Sequence, residues 1–118
     1  MSKILIADDA SFMRLMIRQI LARRGPLEIL EAENGQVAID LFRSQRPDLT
    51  LLDITMPGKD GLETLREILE IDPQAKIIMC SAVAHEKVVQ NAIQLGATDF
   101  LIKPFRPNLL LETVNKYI

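Results

Sequence analysis

Five polar residues carry most of the chemistry this 118-residue chain offers. Asp8 and Asp9 follow the apolar run from Lys3 to Ala7, and Asp53 follows the run from Leu49 to Leu52. Ser81 follows Lys76 to Cys80, and Lys103 follows Asp99 to Ile102. Each stands where a short apolar segment ends. Aspartate suits the middle of a strand badly, but at a strand's carboxyl end it becomes a candidate ligand, base or nucleophile. Three carboxylates drawn within roughly 5 Å would repel by about 3 kcal/mol per pair at an effective dielectric near 20. They would not all stay ionised without a cation. Oxygen ligands with no His or Cys beside them favour a hard ion, Mg²⁺ or alternatively Mn²⁺. Lys103 adds a positive charge and Ser81 a hydrogen-bond donor. A hard cation, a lysine and a hydroxyl around an aspartate suit a phosphoryl group, whose equatorial oxygens carry the transition-state charge.

Each residue also has a plainer reading. Asp8, Asp9 or Ser11 could cap a helix, Asp53 could start a turn before Pro57, Ser81 could be a cap, and Lys103 could be a solvated lysine. His85 reads as an exposed residue near a helix start, and Cys80, flanked by Ile78 and Met79, as a buried small hydrophobe. Only the shared position of the five at strand ends favours a common site.

The elements that must position them follow from periodicity. Lys3 to Ala7, Leu27 to Ala32, Leu49 to Leu52, Lys76 to Cys80 and Asp99 to Ile102 read as strands. Between and after them run amphipathic helices. The first carries Met13, Met16, Ile17, Ile20 and Leu21 on one side and Arg14, Arg18, Arg23 and Arg24 on the other, and ends at Gly25-Pro26. The second follows the Asn34-Gly35 turn with Val37, Ala38, Leu41 and Phe42; the third carries Leu62, Leu65, Ile68 and Leu69. The fourth carries Val88, Val89, Ala92 and Ile93 and stops at Gly96, and the last spans Pro107 to Tyr117 with Leu111, Val114 and Ile118 on its stripe. Phe12 and Leu15 fit the first stripe poorly and read as part of a partner-binding face. Alternating strands and helices with near-continuous apolar strands predict an α/β fold, a parallel sheet covered on both faces. Ligands in such sheets bind at the strands' carboxyl ends beside the switch point, where all five polar residues would converge.

Composition bounds the rest. The length suits one domain, 1–118, with an aliphatic core, since aromatic residues make up only 4 %. A net charge of −2 argues against sequence-independent nucleic-acid binding. The single Cys80 forms no intrachain disulfide. The N-terminal apolar run is too short for a signal or a membrane span, which predicts a cytoplasmic protein.

From KILIADD through DITMPGKDG and CSA to GATDFLIKPF, the whole chain resembles the receiver domain of two-component response regulators, of the stand-alone chemotaxis type. The resemblance implies a (βα)5 flavodoxin-like sheet of order 2-1-3-4-5, an order the family's best-known member exemplifies. It implies Asp53 as phospho-acceptor and Asp8, Asp9, Asp53 and the backbone carbonyl of Thr55 as Mg²⁺ ligands. Ser81 and Lys103 would contact the phosphoryl oxygens, with a cis peptide at Lys103-Pro104. Phe100 would act with Ser81 as the switch, coupling the site to a face made by the fourth helix, fifth strand and fifth helix. The implied partners are a sensor histidine kinase and a downstream effector protein, a flagellar switch or another target. No nucleic acid or membrane is expected, and the chain would be a monomer or a weak dimer through the switch face. Its chemistry would be limited to self-phosphorylation and autodephosphorylation.

Rival readings fare worse. A nucleotide or flavin protein needs a Gly-rich loop after the first strand, and this chain has ADDASFM there. A haloacid-dehalogenase-type phosphatase needs a second aspartate where Thr55 stands. A receiver half with a DNA-binding output would continue beyond Ile118, and the last helix lacks the arginines of that class's dimer interface; a single-domain regulator is expected.

Two positions depart from the family pattern. Phe100 stands where a tyrosine is usual, so the switch lacks a hydroxyl. Val83, two residues after Ser81, offers no polar group to orient an attacking water. The phosphorylated form is therefore expected to outlive that of fast-adapting chemotaxis regulators. A phosphate-release time course run beside such a regulator checks this, and matching rates would refute it.

Overall fold

The computed structural model describes residues 1–82 and 86–118. The order of elements is β1 (Lys3–Ala7), α1 (Ser11–Leu21), a 3₁₀ turn (Ala22–Arg24), β2 (Glu28–Ala32), α2 (Gly35–Gln45), β3 (Leu49–Asp53), α3 (Gly61–Ile71), β4 (Ile77–Ser81), α4 (Glu86–Leu95), β5 (Asp99–Ile102) and α5 (Pro107–Asn115). All strand pairs are parallel and the sheet order is β2-β1-β3-β4-β5, the flavodoxin-like order expected. The chain moves one way across the sheet from β1 to β2 and the other way thereafter. Crossovers are right-handed, so this reversal puts α1 on one face and α2, α3 and α4 on the other; α5 returns to the face of α1.

Strand alternation divides the core accordingly. Leu5, Ala7, Leu52, Ile77 and Met79 pack with Ala38, Ile39, Phe42, Leu65, Ile68 and Ala92. Ile4, Ile6, Leu49, Leu51, Ile78 and Cys80 pack with Ile17, Ile20, Leu21, Leu110 and Val114. Among the described residues no helix is long and apolar enough to cross a membrane.

Several local expectations are corrected. Neither Asp9 nor Ser11 caps α1: its N-cap is Ala10, with no side-chain cap bond. The nearby Asp8 carboxylate instead accepts the Ala10 N–H at 2.9 Å, bracing the loop from the strand side. Asn34 is more than a turn residue, because its side chain accepts the Val37 N–H and caps α2. In α4 only Ala92 of the expected stripe is buried, while Ile93 is 49 % exposed. A small residue lets that helix approach the sheet, leaving its larger apolar neighbours toward the edge. Helix α5 ends at Asn115 and buries Val114 as expected, along with Leu110 and Thr113, while the expected Leu111 and Ile118 are half-buried and pack against the same core. Tyr117 lies beyond the helix, its hydroxyl donating to Asp99 at 2.8 Å. Phe12 and Leu15 are indeed off the core stripe, 72 % and 53 % exposed. Val83 and His85 lie outside the described residues.

Thr50, within the central strand β3, is fully buried, and its hydroxyl has no hydrogen-bond partner among the described residues. A buried unpaired hydroxyl opposes folding, and valine has nearly the same shape without it. Thr50→Val is expected to stabilise the fold by about 1 kcal/mol, read as a higher urea midpoint at unchanged m-value.

Candidate functional site

The acidic end of the sheet is built from four loops. Asp8 directly follows β1; its N–H donates to Ala32 O at 3.0 Å, which extends the β1–β2 ladder by one residue and holds the carboxylate inside. Asp9, next in the chain, is exposed at the mouth. Asp53 is the last residue of β3 and is 6 % exposed. The backbone after it is tightly held, with Ile54 N–H donating to Cys80 O at 3.0 Å and Gly61 N–H to Ile54 O at 2.8 Å. Gly61 is demanded by that closeness: a Cβ there would lie 2.2 Å from the Asp53 carbonyl oxygen. Gly58, at φ +75°, turns the intervening loop.

These connections bring one oxygen each of Asp8, Asp9 and Asp53 within 4.8 Å of one another. Lys103 reaches in from the end of β5. Its ammonium donates to Asp8 Oδ2 at 2.6 Å and lies 3.4 Å from Asp53 Oδ2. The Lys103 N–H bonds Ser81 O at 2.9 Å, and the Lys103-Pro104 peptide is cis. Ser81 is the last residue of β4, buried, and one position beyond the Cys80 that pairs with Asp53. Thr55 is exposed, its N–H directed at Asp53 Oδ1 at 3.4 Å. Phe100 sits further back on β5, opposite Met79, half-buried against the core on the α3–α4 side. The five residues expected to meet thus all end at one edge of the sheet, and Phe100 lies behind them.

The charges explain the electrostatics. Burial pushes the Asp53 carboxyl above its ordinary value; Lys103 pulls it back, and the Asp8 charge raises it further. For Lys103, burial favours the neutral amine, but the hydrogen bond to Asp8 and the charges of Asp53 and Asp8 outweigh it and the net shift is upward. Burial pushes the Cys80 thiol up to about 12, so it is an inert core group. One lysine faces three carboxylates, an all-oxygen donor set short of positive charge. That donor set fits a small hard divalent cation.

Sequence reading misplaced one neighbour. Arg14, assigned to the solvent side of the first helix, has a side chain only 15 % exposed and turns back to donate to the Asp8 carbonyl at 2.7 Å. No periodicity signals this, because the bond crosses from helix to preceding loop.

Sheet order and site together define a doubly wound α/β protein with an acidic cluster and a lysine at its switch point. The particular family follows from comparison: residues 4–115 match the model of the response regulator receiver domain, and the chain belongs to that family. It is 51 % identical over 114 residues to the chemotaxis protein CheY of Bacillus subtilis, covering 97 % of this chain and 95 % of that one. Among solved structures, CheY4 of Vibrio cholerae superposes with a TM-score of 0.93 at 28 % identity, covering 100 % of this chain and 99 % of that one. CheY in the CheX–CheY–BeF3–Mg²⁺ complex of Borrelia burgdorferi matches with a TM-score of 0.93 at 33 % identity, covering 98 % and 87 % of the two chains.

The raised Asp53 carboxyl has a consequence for stability. Below its ordinary value of 3.8 both folded and unfolded chains hold the proton. As pH rises the unfolded chain releases it first, so the ionised carboxylate increasingly opposes folding through the folded pKa. Asp53→Asn removes that penalty. In EDTA the variant is expected to be more stable than wild type at pH 7, with the difference shrinking toward pH 4; urea denaturation at both pH values checks it.

Proposed function

We propose that residues 1–118 form a receiver domain that works as a phosphorylation switch. Asp53 is the phospho-acceptor, and a sensor histidine kinase is the donor. The observation that carries this reading is the meeting of three carboxylates within 4.8 Å, two of them bridged by the Lys103 ammonium, in a chain of the receiver family.

An Asp53 carboxylate oxygen attacks the phosphorus of a phosphohistidine. The new P–O bond forms as the P–N bond breaks, and the imidazole nitrogen leaves with the electron pair and takes up a proton. Lys103 is already drawn to Asp53 and pairs with an oxygen of the incoming group, while the Ser81 hydroxyl donates to another. Asp8, Asp9, Asp53 and the Thr55 carbonyl are the groups that would hold Mg²⁺, with Mn²⁺ as a substitute. When bound, the cation supplies positive charge that offsets the carboxylates and the phosphoryl oxygens. The chemistry ends with hydrolysis of the acyl phosphate, so the protein is a signalling switch rather than a turnover enzyme.

Output runs through Ser81 and Phe100 to the face of α4, β5 and α5, where Ile93, Ile102 and Leu109 are exposed. Such an apolar surface suits a protein effector more than nucleic acid or membrane, and a monomer or weak dimer through the same face. The 51 % identity to Bacillus subtilis CheY favours a chemotaxis output, a flagellar switch or related cytoplasmic target.

Incubation with acetyl phosphate should label the protein only when Mg²⁺ is present, and Asp53→Asn should abolish the label. Label that persists on the variant would exclude Asp53 as acceptor.

A further inference from the structure

The Asp8 carbonyl is part of the peptide linking the two acidic residues, so its orientation determines how their carboxylates stand relative to each other. That carbonyl belongs to a buried residue and accepts the Arg14 guanidinium at 2.7 Å. Arg14 is itself held: its Nε lies 3.0 Å from Glu31 Oε1, on the neighbouring strand β2. Arg18 approaches the other Glu31 oxygen at 3.7 Å and is three times as exposed as Arg14, 44 % against 15 %. The remaining groups of Asp8 are bonded too, its N–H to Ala32 and its carboxylate to Ala10. One end of the loop is thus pinned by backbone, and its central peptide by a single side chain.

We propose that Arg14, oriented by Glu31, is a positioning residue that presents Asp8 and Asp9 to the cation. The inference rests on the reading of the acidic cluster as a Mg²⁺ site. A positive charge this close to a cation site would by itself weaken binding. Glu31 offsets that charge and leaves the directional N–H. Positioning and charge therefore predict opposite signs when Arg14 is removed: loss of orientation weakens cation binding, whereas loss of charge alone strengthens it.

Mn²⁺ serves as the probe, with free ion counted by electron paramagnetic resonance on the full chain and folding followed separately by urea denaturation. Arg14→Met is expected to raise the Mn²⁺ dissociation constant about tenfold, the usual scale for losing a group that orients a metal ligand. Arg14→Lys, which keeps the charge and a donor, should recover part of that loss. Glu31→Gln, at an exposed position, should also weaken binding and carries the test if Arg14→Met does not fold. Arg18→Gln touches Glu31 but not Asp8, and should bind as wild type. Unchanged or tighter binding in Arg14→Met or Glu31→Gln overturns the proposal, as does an equal loss in Arg18→Gln. A wild-type chain that takes up no Mn²⁺ overturns the reading of the cluster itself, and the proposal with it.

Discussion

The structure depends on how negative charge is balanced at the carboxyl end of the sheet. Asp8 and Asp53 are nearly inaccessible to water, and Asp9 stands at their mouth. Burying carboxylates is costly unless they are paired. Lys103 meets two of them, and the three carboxylates, left short of positive charge, are groups that could hold a cation. Burial is the main cause that lifts the Asp53 carboxyl above its ordinary value, and the Asp8 charge adds to it.

Topology creates this imbalance. The sheet order puts β1 beside β3 at the reversal of chain direction, so the residues ending these strands must meet. β4 and β5 then deliver Ser81 and Lys103 in register, with Ser81 opposite Ile102 and its carbonyl bonded to the Lys103 N–H. β5 also carries Phe100, which lies opposite Met79 and packs against the core. The loops are equally constrained, as the contact between Gly61 and the Asp53 carbonyl attests.

Much of this was legible in residue order. The apolar runs end where the strands end to within a residue or so, and the motifs around Asp8, Asp53, Ser81 and Lys103 identify the family before any contact is known. The misreadings have physical causes. Asp9 and Ser11 look like caps by type, yet Ala10 takes that position because Asp8 braces the loop from behind. Ile93 looks like core by spacing, but α4 meets the sheet through Ala92. Arg14 looks like a solvent-side arginine because helical periodicity describes a helix's faces and not the loop before it.

By itself the sequence determined the chemical groups, the segments that carry them and the end of each strand at which they stand. These follow from local patterns, in which apolar runs become strands and Gly, Pro and Asn interrupt them. Tertiary structure decided the distances. Lys103 is 95 residues from Asp8 in the chain and 2.6 Å from it in space, a separation set by sheet order and strand register. It also decided that Arg14 turns inward and that the Thr50 hydroxyl goes unpaired among the described residues. Periodicity ranks residues within one segment; only packing between segments fixes which polar groups find each other.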